Sequence, residues 1–263
     1  MKSGVILVMS CNEERFIEEE EIIRKTWGSP IINGEIENLS IIFYRGGSDE
    51  SFDDEKKVLY LNVPDDLNNT YNKTIEAFKF LKKNNIEYDY IFKTNTSTYV
   101  NVKALLQFLK FEDIDKETVY APGLNINQKC LSVPYGIGYF LIFPKYIVES
   151  IFIQYTLKYF IGDGVDDVNI GFLMGILYKN SYITKHLRQI DVIDDFNEFS
   201  IKDFTEAYCV RIKDDKNLKN NCERMLRVHQ FYNLLQEEIK IKRPHNFANI
   251  YTSFGKIPIE KHD

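Results

Sequence analysis

The chain has 263 residues, 44% of them hydrophobic and 27% charged, which suits one large globular α/β unit with a sizeable buried core. The formal net charge of −6 speaks against nucleic acid as the main partner, because phosphate backbones need clustered Lys and Arg. The four cysteines (Cys11, Cys130, Cys209, Cys222) show no CxxC spacing and read as reduced thiols of a cytoplasmic protein. Met1-Lys2-Ser3 leads into no signal peptide, and no apolar run reaches the roughly 18 residues of a membrane span.

In chain order, Gly4–Ser10 is an unbroken apolar run and reads as a buried parallel strand. Glu14–Trp27 follows as a helix with Ile17, Ile22, Ile23 and Trp27 inward, stopped by Gly28-Ser29-Pro30. Leu39–Tyr44, ended by Gly46-Gly47, and Lys57–Val63 are further strands. Asn69–Lys83 is a helix with Ile75, Phe78 and Leu81 on one stripe. Tyr88–Lys93 is a strand that delivers the polar turn Thr94–Thr98. Val102–Leu109 reads as a helix, Thr118–Pro122 and Gly138–Phe143 as strands, and Lys145–Tyr155 and Asp166–Tyr178 as helices. Beyond about residue 190 the pattern weakens into charged loops, Asp191–Asp195 and Lys213–Asn221, with a last helix at Tyr232–Lys240 and a basic cluster at Lys240–Pro244. The alternation predicts an α/β fold with a doubly wound, mostly parallel sheet flanked by helices. The domain expectation is one unit over 1–263, with a first half at 1–110, a second half at 111–190 and a helical and loop extension at 191–263.

In open α/β sheets ligands bind beyond the carboxyl ends of the strands. Ser10–Glu13, Arg45–Gly47 and Thr94–Thr98 fall there. The last reads equally as a turn or a helix cap, since Asn, Thr and Ser favour both. Asp163–Val168 puts carboxylates at a helix start, where they serve as caps or place a general base. The glycines of Tyr135–Tyr139 allow either a tight turn or close approach of a ligand to the backbone. His186 and His229 read as structural residues or as phosphate or metal contacts.

The order of these pieces resembles the β-1,3-glycosyltransferase superfamily that includes galactosyltransferases, N-acetylglucosaminyltransferases and Fringe. Ile22–Gly28 (IIRKTWG), with the chain's only Trp, is similar to the family's "xIRxTWG" helix. Asp65 through Asn69 to Lys73-Thr74 resembles "DxYxNLTxKT", and Tyr88–Val100 resembles "YDFxxKxDDDxFV". Gly136–Tyr139 resembles "GxGYxxS", Asp166–Gly171 resembles "EDVxxG", and Arg227-Val228-His229 is similar to a late histidine that assists the metal in relatives. The resemblance spans about residues 3–178.

The resemblance implies a GT-A-type fold, a nucleotide diphosphate sugar donor (UDP-linked as the first expectation) and inversion at the anomeric carbon. It makes 1–110 the nucleotide-sugar-binding half and 111–190 the acceptor and catalytic half, and it places the general base on Asp167, with Asp166 the alternative. Donor contacts fall on Ser10, Arg24, Asp65, Lys73, Lys93, Asn95, Ser97, Gly136 and Gly138. Relatives hold a divalent cation, Mn2+ or Mg2+, on an acidic triplet; here that triplet is Asn95-Thr96-Ser97, and hard cations want carboxylate oxygens. Two implications compete: a metal-independent enzyme, in which Arg24, Lys73 or Lys93 holds the diphosphate, or an inactive sugar- or nucleotide-binding module. A "TNxS[ST][FY]" turn resembles bacterial relatives and favours activity, with no metal required and His229 the one weak metal candidate. The expected setting is polysaccharide biosynthesis on a glycan or lipid-linked acceptor, in the cytoplasm and at the inner face of a membrane. There the basic tail and Tyr155–Tyr159 would make at most peripheral contact. A dinucleotide-binding reading fails because Ser10–Glu13 lacks the GxGxxG turn.

Overall fold

The computed structural model describes residues 2–111, 115–127, 133–155, 157, 164–178, 186–193, 206–214, 220–234 and 245–246. The expected features at Asp163, Tyr159 and Lys240–Pro244 lie outside these residues.

β1 (Gly4–Met9) opens the chain, followed by α1 (Glu14–Lys25) and the short α2 (Ser29–Ile32). β2 (Leu39–Gly47), β3 (Ser51–Asp53) and β4 (Val58–Asn62) come next. A single 3-10 turn (Leu67–Asn69) then leads into α3 (Thr70–Lys83). β5 (Tyr90–Asn95), β6 (Thr98–Val100) and α4 (Val102–Lys110) form the middle of the chain. β7 (Val119–Ala121), the hairpin β8 (Leu124–Asn127) and β9 (Val133–Gly136), and β10 (Phe140–Pro144) follow. α5 (Lys145–Ile147) runs on as a π-helical turn to Phe152. α6 (Asp166–Tyr178), β11 (Leu187–Gln189), β12 (Cys209–Arg211), α7 (Asn221–Leu234) and β13 (His245–Asn246) complete the described elements.

Nine strands form one sheet in the order β13-β11-β7-β10-β5-β1-β2-β4-β3. The centre, β5-β1-β2-β4, is parallel throughout. β10 enters antiparallel between β5 and β7, and β3 and β13 are antiparallel edges. Six of the nine strands therefore share one direction, and the sheet is mostly parallel as expected. Helices cover both faces. α1, α2, α4 and α7 bury Ile23, Trp27, Leu105, Phe108, Met225 and Val228 on one side. α3, α6 and the π turn bury Phe78, Leu81, Phe152, Leu173 and Met174 on the other. Phe108 is fully buried, its ring packed edge-on against Tyr90, Phe92, Tyr120 and Tyr208 at 5.3–6.0 Å between centroids. Among the described residues no helix is long and apolar enough to cross a membrane.

The structure corrects several expectations. Ile17 of α1 is exposed, and the inward face instead carries Glu19 and Glu20 with Ile23. Gly46 and Gly47 do not end β2, because they stay paired with Leu61 and Asn62. The last described helix starts at Asn221, the final residue of the stretch that reads as charged loop, and runs to Leu234; the rest of the expected Tyr232–Lys240 helix lies outside the described residues.

Candidate active site

Strand alternation sets the floor of the site. Tyr90 and Phe92 of β5 belong to the α1/α4 core and Ile91 to the α3/α6 core. Lys93, next on the Ile91 side, therefore projects toward α6. There its ammonium forms an ion pair with Asp166 and donates to the Gly138 carbonyl at 2.8 Å. The lysine is only 2% exposed, so a carboxylate partner is what permits its charge there. β5 ends in the turn Asn95–Thr98, where Asn95 Oδ1 accepts from the Ser97 amide (3.2 Å), Ser97 Oγ (3.0 Å) and Thr98 Oγ1 (2.8 Å).

Asp167 sits one residue into α6. Its Oδ2 accepts the Gly138 amide at 3.1 Å and its Oδ1 the Val168 amide at 2.8 Å. Burial, and next the charge of Asp166, push its carboxyl up to about 6, against the opposing pull of Lys93 and the two amides. Gly138 is required for this approach: a Cβ there would lie 2.5 Å from the Asp167 Cβ. The start of α6 is fixed from α3, because the Asp166 amide donates to Thr70 Oγ1 at 3.1 Å, while Thr70 Oγ1 and the Tyr71 amide donate to the Gly164 carbonyl. Gly164 has φ +76° and packs on the Asn68 carbonyl, a conformation and a gap closed to larger residues.

On the opposite side Asp65 clasps three segments. It accepts from Lys73 (2.8 Å), the Gly46 amide (3.0 Å) and the Asn12 amide (2.6 Å). Burial alone would raise its carboxyl, but Lys73 and the two amides hold it below the ordinary carboxylate range. Lys73 also donates to the Ser10 carbonyl at 3.4 Å. A second carboxylate, Glu19 of α1, is 4% exposed and reaches the same cleft. It accepts a hydrogen bond from Thr96 Oγ1 and one from Asn221 Nδ2 at 2.7 Å, joining α1, the β5 turn and α7.

These groups line a cleft of about 600 Å³ at the carboxyl ends of β1 and β5, within the usual size of a small-ligand site. Of the residues expected from the sequence, Ser10, Asp65, Lys73, Lys93, Asn95, Ser97, Gly138, Asp166 and Asp167 are brought together there. Three are not. Arg24 is held by Glu20 and Glu21, both at 3.8 Å, over the Phe43 ring. Gly136 lies in β9 against Ala121. His229 bonds Tyr99 at 2.9 Å and stacks on Tyr232, and burial lowers its pKa. His186 likewise lies away from the cleft, bonded to the Glu117 carbonyl at 2.9 Å. Sequence reading missed Glu19, Thr70, Arg211, Lys213 and Asn221. For Glu19 a signal exists, since Glu19, Ile23 and Trp27 recur every four residues on one helix face.

The residues do not fit a divalent cation at the triplet. It offers no carboxylate, the Asn95 amide oxygen already accepts three hydrogen bonds, and the Thr96 hydroxyl is engaged by Glu19. Among the described residues no group of three His, Cys, Asp or Glu side chains is placed to hold a metal.

Residues 18–133 match the family model described as galactosyltransferase. That range holds the IRKTWG, Asp65–Thr74 and Tyr88–Val100 blocks, while Gly138 and the Asp166-Asp167 pair lie beyond it. No curated protein matches the chain. Among solved structures, the chain is similar to a glycosyltransferase involved in glycosylation of the major capsid of PBCV-1: 10% identity, 86% of this chain and 99% of that one, TM-score 0.48. It is similar to the glycosyltransferase GlyE of Streptococcus pneumoniae TIGR4 at 12% identity, over 86% and 60% of the two chains, TM-score 0.42. It is also similar to the inositol-1-phosphate CTP transferase of T. maritima at 11%, over 87% and 96%, TM-score 0.39. Over residues 18–133 the chain is similar in sequence to the galactosyltransferase family.

Proposed function

We propose that the chain transfers a sugar, with inversion, from a nucleoside-diphosphate sugar to a hydroxyl of a glycan or lipid-linked acceptor. The observation that carries this reading is Asp167: a cleft carboxylate whose pKa is raised to about 6, fixed by the Gly138 amide. A base with that pKa is mostly ionised at neutral pH yet basic enough to take a proton in flight. The acceptor oxygen attacks C1 of the donor sugar and gives its proton to an Asp167 oxygen. The C1–oxygen bond to the diphosphate breaks on the opposite face. Asp166, paired with Lys93, keeps its own charge compensated and holds up the pKa of its neighbour.

The acid-free triplet supports a reaction that proceeds without a divalent cation at that turn. The same feature favours the second reading, a non-catalytic module that binds a sugar nucleotide. The test is transfer and donor hydrolysis across a panel of nucleotide sugars, in EDTA and in Mn2+, with the Asp167→Asn variant alongside. Turnover that survives EDTA and disappears in the variant supports the metal-free enzyme. A strict Mn2+ requirement sinks the metal-free proposal. Donor binding without turnover in any condition leaves the binding module as the function.

A further inference from the structure

The lysines expected to meet the diphosphate are committed elsewhere: Lys73 is held by Asp65 and Lys93 by Asp166. Arg24 is outside the cleft. A leaving diphosphate still needs positive charge beside it, and the triplet supplies none. Three further cationic side chains line the cleft: Arg15 of α1, paired with Glu13 at 3.2 Å over the Phe16 ring, and, from a segment with no family signature, Arg211 and Lys213. We infer that Arg211 and Lys213 form the anion-binding edge of the cleft and hold the diphosphate of a nucleoside-diphosphate donor. This rests on the donor reading above and assigns the part of the donor these two residues touch.

Three features support the assignment. First, the segment is fastened to the turn that replaces the acidic triplet. β12 pairs antiparallel with β6, Arg211 opposite Thr98, and the Ile212 amide donates to the Ser97 carbonyl at 3.0 Å. Second, extended backbone at Arg211-Ile212-Lys213 sends alternate side chains to opposite sides. Ile212 is fully buried, so Arg211 and Lys213 share the cleft side. Third, the segment is held in place by its surroundings. Arg224 of α7 donates to the Ile212 carbonyl (3.3 Å), the Lys213 carbonyl (3.5 Å) and Asp214 (2.8 Å). The Asp214 amide donates to Asn221 (3.2 Å), which in turn holds Glu19. The Arg211 guanidinium lies over the Tyr139 ring, 5.2 Å from its centroid, next to the Gly138 amide that fixes Asp167. A planar guanidinium set this way can take two phosphate oxygens at once, while an ammonium adds a point charge.

The test is calorimetric titration of the full chain with UDP, GDP, CDP and ADP, and with the monophosphate and nucleoside of the base that binds best. Arg211→Gln is expected to weaken the diphosphate roughly ten- to a hundredfold, and Lys213→Gln by less than that, with the nucleoside unchanged. Arg211→Lys should recover part of the loss. Because Arg211 packs on Tyr139, melting curves accompany each variant. Lys213 is exposed, so Lys213→Gln decides the matter if Arg211→Gln does not fold. Wild-type affinity for the diphosphate in the folded variants overturns the assignment while leaving the donor reading intact. So does an equal loss for nucleoside and diphosphate. A wild-type chain that binds none of the four diphosphates, with or without Mn2+, overturns the donor reading and this assignment together.

Discussion

Replacing Asp167 by Asn removes a charge that the fold is strained to keep. The carboxyl ionises at 3.8 in the open chain and at about 6 in the cleft. Below pH 3.8 both states are protonated and the difference vanishes. Between there and pH 6 the unfolded chain releases the proton first, so stability falls as pH rises; above 6 the full cost is present. That cost is about 3 kcal/mol. Asn has one carbonyl oxygen, so it keeps only one of the Gly138 and Val168 amide bonds and loses about 1 kcal/mol at every pH. The pH-dependent part is unaffected by that offset. Urea denaturation from pH 4 to pH 8 should therefore show the variant gaining about 2.5 kcal/mol on the wild type across the range, roughly 5–10 °C in melting midpoint. Over the same range the wild-type kcat/KM should rise through about pH 6. The variant should lose about two to four orders of magnitude in rate. A stability difference that is flat in pH would refute the burial argument, and a variant with wild-type turnover would remove Asp167 as the base.

Gly138→Ala should keep most of its stability but push Asp167 aside, since the new methyl would meet its carboxylate; kcat should fall by about a hundredfold with KM less affected, in steady-state kinetics. Lys73→Met leaves Asp65 facing the cleft without its cation and should cost about 3–5 kcal/mol in chemical denaturation at neutral pH. That loss should shrink as pH falls through the lowered Asp65 value, because the native pair contributes only while Asp65 is ionised. Phe108→Ala opens the centre of an aromatic cluster and should cost about 3–5 kcal/mol, read as a lower urea midpoint with an unchanged slope.

The legible parts of the sequence are those where one physical signal dominates. β1 is a plain apolar run, and α6 starts on two acids and runs apolar to Tyr178, so its span was readable outright. Motif order places Asp167, Lys93 and Gly138 at the ends of readable elements, and the structure gathers all three in one cleft. α1 misled because its inward side is carboxylate, stabilised by partners far along the chain: Arg45 for Glu20, at 2.9 and 2.5 Å, and Asn221 for Glu19. Hydrophobic periodicity registers only the Ile23 and Trp27 end of that face. Arg211 and Lys213 lie on a three-residue strand and its exit, too short for any period, within a charged stretch that reads as loop. Arg24 falls outside the cleft because its neighbours Glu20 and Glu21 hold it, a local pairing visible only once the helix is turned the right way.

The insertion of β10 between β5 and β7 has a consequence for synthesis. Thr94 pairs with Phe140, so one edge of the central strand waits for a partner that leaves the ribosome some 46 residues later. At usual elongation rates that interval is roughly 2–9 s. For that time the nascent chain offers an apolar strand edge open to pairing with another chain. The polar run Lys93–Thr98 at the end of β5 lies where such pairing would spread, and Lys93 stays without Asp166 until α6 has been made. An uncompensated lysine on such a strand is the kind of inward charge that disfavours pairing at an open edge.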